Sequence, residues 1–320
     1  MKQLMIKAFG DASQLVLMER EAAPLATNEI RVQMHFAGVN PVDAKTRAGL
    51  GWGAEAIKDQ LPWTPGLEVM GTVIELGAEV NIYQVGDRVF GLLAGGGYSE
   101  QLVVPATALL RVPGTVSDET AAGLSLAGIT AWQALTEHGC LKAGARILIS
   151  AAAGGVGHLA VQLAKELGAY VIALASPHNH DFLQGLGADE VLDYKDARAL
   201  GELAPVDLLL DLVGGESALG LLSRVKPGGR VVTVPTNTAD RVIAAAESQG
   251  LSATGMLKHN DNQQLASLMK AVVEQKIRVD VSQVYPLSEG ELAHRQIETG
   301  HTRGKILLQG DVLAAENSGA

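Results

Sequence analysis

Two rhythms of apolar and polar positions divide this chain. Through about residue 120, short runs at 30–39, 69–76, 87–92 and 98–104 are rich in β-branched and other apolar side chains. Gly66, Gly71, Gly77, Gly86, Gly91 and the glycine run 95–97 cut them apart. Short strands between glycine turns predict a compact, mostly antiparallel, barrel-like domain. From about residue 123 the runs become nearly continuous in apolar residues, at 147–150, 171–175, 191–193, 206–212 and 230–234, with helical stretches between most of them. A strand covered on both faces has no wet side to alternate with, so this half predicts a parallel sheet with helices on both faces. Residues 251–256 would supply a last strand. The tail then reads as a helix over 262–275, a strand over 281–285, a helix over 288–299 and a strand over 305–308.

The first apolar strand of the second half runs into a glycine-rich bend and an amphipathic helix, over 146–157 and 158–168. Ala152, Gly154 and Gly157 hold the three positions of the G-x-G-x-x-G fingerprint, with alanine in the first, and Gly155 and Val156 complete the bend. The turn must be tight, the backbone must approach a pyrophosphate, and the helix must pack closely on the strand. Unbonded amides at the helix start, expected near 156–159, would face the anion.

Composition narrows the function classes. With 320 residues there is room for two ordinary domains, and 47% hydrophobic against 19% charged residues implies a substantial core. A formal charge of −10 argues against nucleic acid or an anionic membrane as a partner. No run of 18 apolar residues occurs, and the first residues read as a strand rather than a signal peptide. Cys140 is the only cysteine, so no intrachain disulfide can form, and the expected location is cytoplasmic.

Several motifs recur in one order along nearly the whole length: Ala37-Gly-Val-Asn-Pro-Val-Asp43, Pro65-Gly-Leu-Glu-Val-Met-Gly71, Val85-Gly-Asp-Arg-Val-Phe-Gly91 and Gly97-Tyr-Ser-Glu100. After them come Leu126-Ala-Gly-Ile-Thr-Ala-Trp132, the glycine bend, 186–194 and Gly300-His-Thr-Arg-Gly-Lys305. In these the chain resembles the zinc-independent quinone oxidoreductase (zeta-crystallin-like) branch of the medium-chain dehydrogenase/reductase superfamily. The resemblance implies an α/β protein. Its GroES-like, mostly-β catalytic domain would come from 1–122 and 258–320, with a doubly wound Rossmann domain inserted over 123–257. Zinc-dependent relatives hold metal with a cysteine after Gly-Val, a histidine after Pro-Gly and a second cysteine before the Rossmann domain. Here those places carry Asn40, Leu67 and an apolar residue near Leu126, and one cysteine cannot build a four-cysteine structural site. No metal is expected.

NAD binders usually carry an acid at the tip of the second Rossmann strand, about 20 positions after the bend. That strand ends here in Ser176-Pro-His-Asn-His180, with no acid. The resemblance implies that Ser176, Asn179 and Tyr194 hold the 2′-phosphate of NADPH, and that Thr130 and Val213 also meet the cofactor. Plainer readings stand beside these. Ser176 before Pro177 makes a helix cap and first-turn proline, Tyr194 can simply pack, and a helical threonine can bond a preceding carbonyl. With no Arg or Lys at 176–180, the expected preference for NADPH over NADH is modest.

By the same resemblance Asn40 and Asp43 line the substrate cleft, although Asn40-Pro41-Val42-Asp43 also reads as a helix start closed by Gly49. Relatives carry a tyrosine where Gly51 stands, with Trp52 next to it. An indole stacks well but is no useful proton donor, which leaves the donor unnamed. Glu68 reads as a structural ion-pair partner, Arg47 as a surface or ion-pair residue, and 50–64 as a loop shaping the pocket. The function expected is hydride transfer from NADPH to a small-molecule electrophile, a quinone or an α,β-unsaturated carbonyl compound. The alternative is a non-catalytic NADPH-binding structural or sensing protein on the same scaffold. A homodimer joined through the strand near 251–256 is also expected.

Overall fold

A computed structural model describes residues 1–311. In chain order the strands are β1 (Lys2–Ile6), β2 (Leu15–Glu19), β3 (Glu29–Val39), β4 (Glu68–Leu76), β5 (Arg88–Leu92), β6 (Gln101–Pro105), β7 (Leu110–Arg111), β8 (Arg146–Ile149), β9 (Tyr170–Ala175), β10 (Glu190–Asp193), β11 (Val206–Asp211), β12 (Val225–Thr233), β13 (Ser252–Gly255), β14 (Val281–Pro286) and β15 (Lys305–Gln309). The helices are α1 (Pro41–Arg47), α2 (Gly51–Ile57), α3 (Asp118–Gln133), α4 (Gly155–Glu166), α5 (His180–Gln184), α6 (Ala197–Glu202), α7 (Gly215–Leu221), α8 (Ala239–Ser248), α9 (Asn262–Val273) and α10 (Gly290–Glu298). They form two units. One holds Met1–Leu126, Asn260–Val273 and the described residues from Val279; the other holds Ala127–His259 and Glu274–Arg278.

In the first unit β3 is the spine. It pairs antiparallel with β4, β6 and β15, and the sheet runs β14-β15-β3-β4-β5-β7 with β6 also on β3. Along its first half, partly and fully buried positions alternate, so Ile30, Val32 and Met34 enter the core with Val69, Val73, Val89 and Leu308. Register shifts between Arg31 and Val32 and between Met34 and Phe36 bend β3 against β4, as a curling sheet requires. The pairing Ile306↔Val39 places Lys305 beside the end of β3, 265 residues away in sequence from Asn40.

The second unit is a six-stranded, all-parallel sheet in the order β10-β9-β8-β11-β12-β13. The chain winds outward from β8 through β9 and β10, then returns to the other side of β8 with β11. The carboxyl ends of β8 and β11 therefore flank the point where winding reverses, the place where such sheets take ligands. Leu148, Ile172, Leu209 and Val231 fill one core beneath the helices.

The α/β architecture is the one expected from the two apolar rhythms. Details differ where the local signal is weak. β12 starts at Val225 rather than 230, because Pro227-Gly228-Gly229 reads as a turn while the strand absorbs it in a register shift against β11. Within 50–64 the chain forms α2 instead of continuous loop, despite the poor helix formers Gly51 and Gly53. β4 packs on β3 so closely that a Cβ on Gly71 would sit 2.2 Å from the Gln33 carbonyl oxygen. Gly71→Ala is expected to lower unfolding free energy by about 1–3 kcal/mol. An unchanged urea midpoint would contradict that close approach.

Candidate active site

In the second unit the bend after β8 leaves backbone amides unspent at the start of α4. α4 begins at Gly155 with Gly154 as its cap, and its first bonded amide is His158 N to Gly154 O at 3.0 Å. The unspent amides are therefore those of Gly155, Val156 and Gly157, one position earlier than the 156–159 expected from sequence. Gly157 is required by packing, since a Cβ there would lie 2.4 Å from Ala151 O. Gly154 is different: its Cβ would meet only Ala151 O at 3.3 Å. Protein packing alone barely requires a glycine there, whereas a phosphate approaching the backbone would. Ala152 is fully buried and donates its amide to Leu174 O at 3.0 Å. The left-handed backbone falls instead on Ala151, at φ 45°, strain of about 1–2 kcal/mol for a non-glycine residue.

The parallel pairing of Asp193 with Ala175 sets Ser176 and Tyr194 next in register at adjacent strand ends. Ser176 stands at the start of a short turn with Pro177 first, but its hydroxyl makes no capping hydrogen bond. Asn179 is buried, with its amide nitrogen 3.2 Å from His178 Nε2, and Tyr194 is exposed. Lys195, absent from the sequence-based set, holds its ammonium 5.5 Å from the Tyr194 ring centre. Thr130 is buried on α3, and Val213 lies exposed after β11 with its amide on Asp211 Oδ1 at 3.0 Å. Asp211 was also missed. Fully buried, it accepts from Ser150 Oγ, Thr233 Oγ1, and the amides of Val213 and Gly214, tying the carboxyl ends of β8, β11 and β12 together.

In the first unit Asn40, Asp43 and Glu68 converge with three residues that sequence reading did not single out: Tyr98, His294 and Lys305. Lys305 Nζ donates to Glu68 Oε1 at 2.7 Å and to Asn40 Oδ1 at 2.6 Å. Asn40 Nδ2 donates to Glu68 Oε1 at 3.0 Å, and Glu68 Oε2 accepts the Leu126 amide at 2.7 Å. Lys305 is 2% exposed and Glu68 is fully buried, so this pair lies in low dielectric. Gly38 makes room for it, since a Cβ there would fall 2.0 Å from Glu68 Oε1. The places that the resemblance assigns to the zinc ligands of metal-dependent relatives carry Asn40, Leu67 and an apolar residue near Leu126, and the Lys305 ammonium lies on Asn40. Among the described residues no three His, Cys, Asp or Glu side chains cluster to hold a metal.

Asp43, at the start of α1, accepts the Asn40 amide on Oδ2 at 2.9 Å, and Tyr98 Oη lies 3.3 Å from the same oxygen. Among the described residues its Oδ1 accepts from the Gly66 amide alone, at 3.4 Å. Burial pushes its carboxyl up to about 7, helped by the nearby Glu68 charge and opposed by the backbone donors and Lys305. Tyr98, fully buried, is pushed up by burial and then by Asp43. Its hydroxyl lies 3.4 Å from His294 Nε2, and burial, with Arg47 nearby, pushes that imidazole down to about 3. The surface reading of Arg47 is corrected: its side chain is 1% exposed and pairs with Glu298. Asp43 and Trp52 line one pocket of about 50 Å³ with Val42, Thr46, Trp63 and Leu67. Asn40 is not in that lining; its amide serves the ion pair. Lys305→Met is expected to cost about 3–5 kcal/mol by leaving Glu68 buried and uncompensated. Glu68→Gln combined with Lys305→Met should recover part of that loss in urea unfolding. A double variant as unstable as the single one would refute the charge argument.

Comparison with known proteins agrees with this geometry. Residues 26–114 match the alcohol dehydrogenase GroES-like domain and residues 186–308 the zinc-binding dehydrogenase family. The chain is 33% identical over 301 residues to a chloroplastic quinone-oxidoreductase homolog of Spinacia oleracea, covering 88% of this chain and 90% of that protein. It superposes on the quinone oxidoreductase from Coxiella burnetii with a TM-score of 0.92 and 39% identity, over 97% of this chain and 99% of that one. The Escherichia coli quinone oxidoreductase complexed with NADPH gives 0.86 and 27%, over 97% and 100%. With a parallel, doubly wound sheet in one unit and a GroES-like fold in the other, the protein belongs to the quinone oxidoreductase (zeta-crystallin-like) branch of the medium-chain dehydrogenase/reductase superfamily and is an NAD(P)H-dependent oxidoreductase.

Proposed function

We propose that this chain reduces quinones or α,β-unsaturated carbonyl compounds with NADPH and without zinc. The observation that carries the proposal is the buried ammonium of Lys305, held by Glu68 and Asn40 where metal-dependent relatives gather their ligands. A catalytic zinc needs at least three protein donors of the right kind. Here Glu68 is already paired to a cation, and Asn40 and Leu67 supply no thiolate or imidazole. Acceptors that spread negative charge over a conjugated system need no Lewis acid, and the two tryptophans and Leu67 of the pocket suit a flat apolar ring or alkene.

The nicotinamide, when bound, supplies the hydride. The protein's own contributions are binding and positioning. Gly155, Val156 and Gly157 would donate their amides to the pyrophosphate, and Gly154 would let it approach. Ser176, with its uncommitted hydroxyl, and Asn179 and Tyr194 would hold the 2′-phosphate, with Lys195 adding the cation that 176–180 lacks. Thr130 and Val213 complete the cofactor set. The pocket residues Trp52 and Asp43 would orient the acceptor and exclude water. A cytoplasmic homodimer fits this reading: β13 is an edge strand paired only with β12 in the described sheet, open to a second copy.

The test is a panel of quinones, enones and enals followed by NADPH absorbance with product identification. NADPH binding without oxidation of any acceptor would favour a sensing role instead. NADPH should exceed NADH in kcat/KM. Removing one phosphate contact by Ser176→Ala should cut that ratio by roughly 10-fold or more, the equivalent of about 1.5–3 kcal/mol for a charge-assisted hydrogen bond. Equal values for the two cofactors would reject the NADPH assignment.

A further inference from the structure

Reduction of a conjugated acceptor needs a proton as well as a hydride, and Trp52 cannot give one. We infer that Asp43 is the proton donor, releasing its proton from Oδ1, while Tyr98 and His294 act as positioning residues that hold Oδ2. This rests on the reductase reading above.

The two carboxyl oxygens of Asp43 are not equivalent. Oδ2 receives the Asn40 amide at 2.9 Å and faces the Tyr98 hydroxyl at 3.3 Å. That hydroxyl is backed by His294 Nε2 at 3.4 Å, in an edge-to-face ring pair with centroids 5.9 Å apart. A neutral imidazole protonated on Nε2 would donate to Tyr98, and Tyr98 in turn to Oδ2. An oxygen that already accepts two donors does not also carry the acid proton, so the proton belongs on Oδ1. Among the described residues the hydrogen-bond partner of Oδ1 is the Gly66 amide, at a long 3.4 Å. Asp43 lines the pocket with Trp52 and Trp63.

The surrounding charges favour an acid that is protonated near neutrality. Glu68 faces Asp43 from β4, Lys305 from β15, Tyr98 from the segment before β6, and His294 from α10, with Arg47 on the same helix as Asp43. Glu68 opposes ionisation, and the Lys305 ammonium that would favour it is already bound to Glu68 and Asn40. Burial adds to Glu68, and the carboxyl sits at about 7.

In the step, hydride adds to the β-carbon of an enone and the electron pair moves to the carbonyl oxygen and α-carbon. The Asp43 O–H bond breaks, a C–H bond forms at the α-carbon, and the carboxylate left behind regains a proton from solvent once product leaves. For a quinone, hydride adds to one carbonyl oxygen, the electron pair moves through the ring to the other, and that second oxygen takes the Asp43 proton to give the hydroquinone. Atoms and charge balance with the hydride supplied by the nicotinamide cofactor and one proton taken up from solvent.

Two measurements on the full chain test this. The first uses wild-type protein: an infrared difference spectrum between pH 5.5 and 8.5 should show a protonated carboxyl band that disappears with a midpoint near 7 and is absent in Asp43→Asn. The second is steady-state kinetics. Wild-type kcat should fall as pH rises through about 7, because the acid is lost. Asp43→Asn should lower kcat by roughly 100- to 10,000-fold, with NADPH affinity unchanged by fluorescence titration and no fall in kcat above pH 7. Tyr98→Phe should shift the pH at which kcat falls, a change that loss of packing alone would not produce. An active wild type with Asp43→Asn of equal kcat, or a wild type lacking the carboxyl band, overturns the assignment alone. A wild type that reduces no acceptor overturns the reductase reading and this role with it.

Discussion

The pairing of Lys305 with Glu68 is the constraint on which the first unit depends. Two charges sit out of water, and only close contacts to Asn40, Leu126 and each other compensate their desolvation. Much of the local sequence follows from it. Gly38 must lack a side chain to admit the carboxylate, β15 must lie on the end of β3, and Asn40 must turn its amide inward rather than toward a ligand. The pair also shapes the acid beside it, since burial raises the Asp43 carboxyl and the Glu68 charge adds to that rise. An ion pair buried at this depth is weak support for stability but fixes geometry well.

In the second unit the corresponding constraint is polar and uncharged on one side only. Asp211 gathers hydroxyls and amides from three strands, so the carboxyl edge of the sheet is held where the winding reverses. The nucleotide bend is built on that edge. Its three free amides and the space above Gly154 follow from where β8 stops and α4 begins.

The fold was legible because its signals are local and repeated. Continuous apolar runs announce a parallel sheet, and glycine-cut runs announce the other unit. The bend and the helix after it were legible because spacing carries their meaning, although the helix starts at Gly155, three residues before the 158 that pattern suggested. Asp43 and Trp52 could be named from motif resemblance, and they do meet in one pocket. Tyr98, His294 and Lys305 could not be singled out, since nothing in the sequence near them says what lies opposite after folding. Tyr98 reads as a strand aromatic, and His294 as one histidine among eight. Arg47 read as a surface or ion-pair residue because arginine seldom goes fully inside; the ion-pair alternative holds, with Glu298 on a helix 251 residues further along the chain. Lys195 is remote from 176–180 in sequence, and parallel pairing of β9 with β10 brings 194 and 195 to the same strand ends.

The placement of β15 bears on how the chain is made. During synthesis one edge of β3 and both Glu68 and Asn40 wait for residues 305–309, with Lys305 made 265 residues after Asn40. The parallel sheet over 146–255 lies wholly inside that interval and can settle first as a local unit. The nascent chain therefore passes through a period in which an inserted domain is folded while its host still carries an unneutralised carboxylate and an open strand edge. That is the stage at which aggregation and chaperone capture compete with completion.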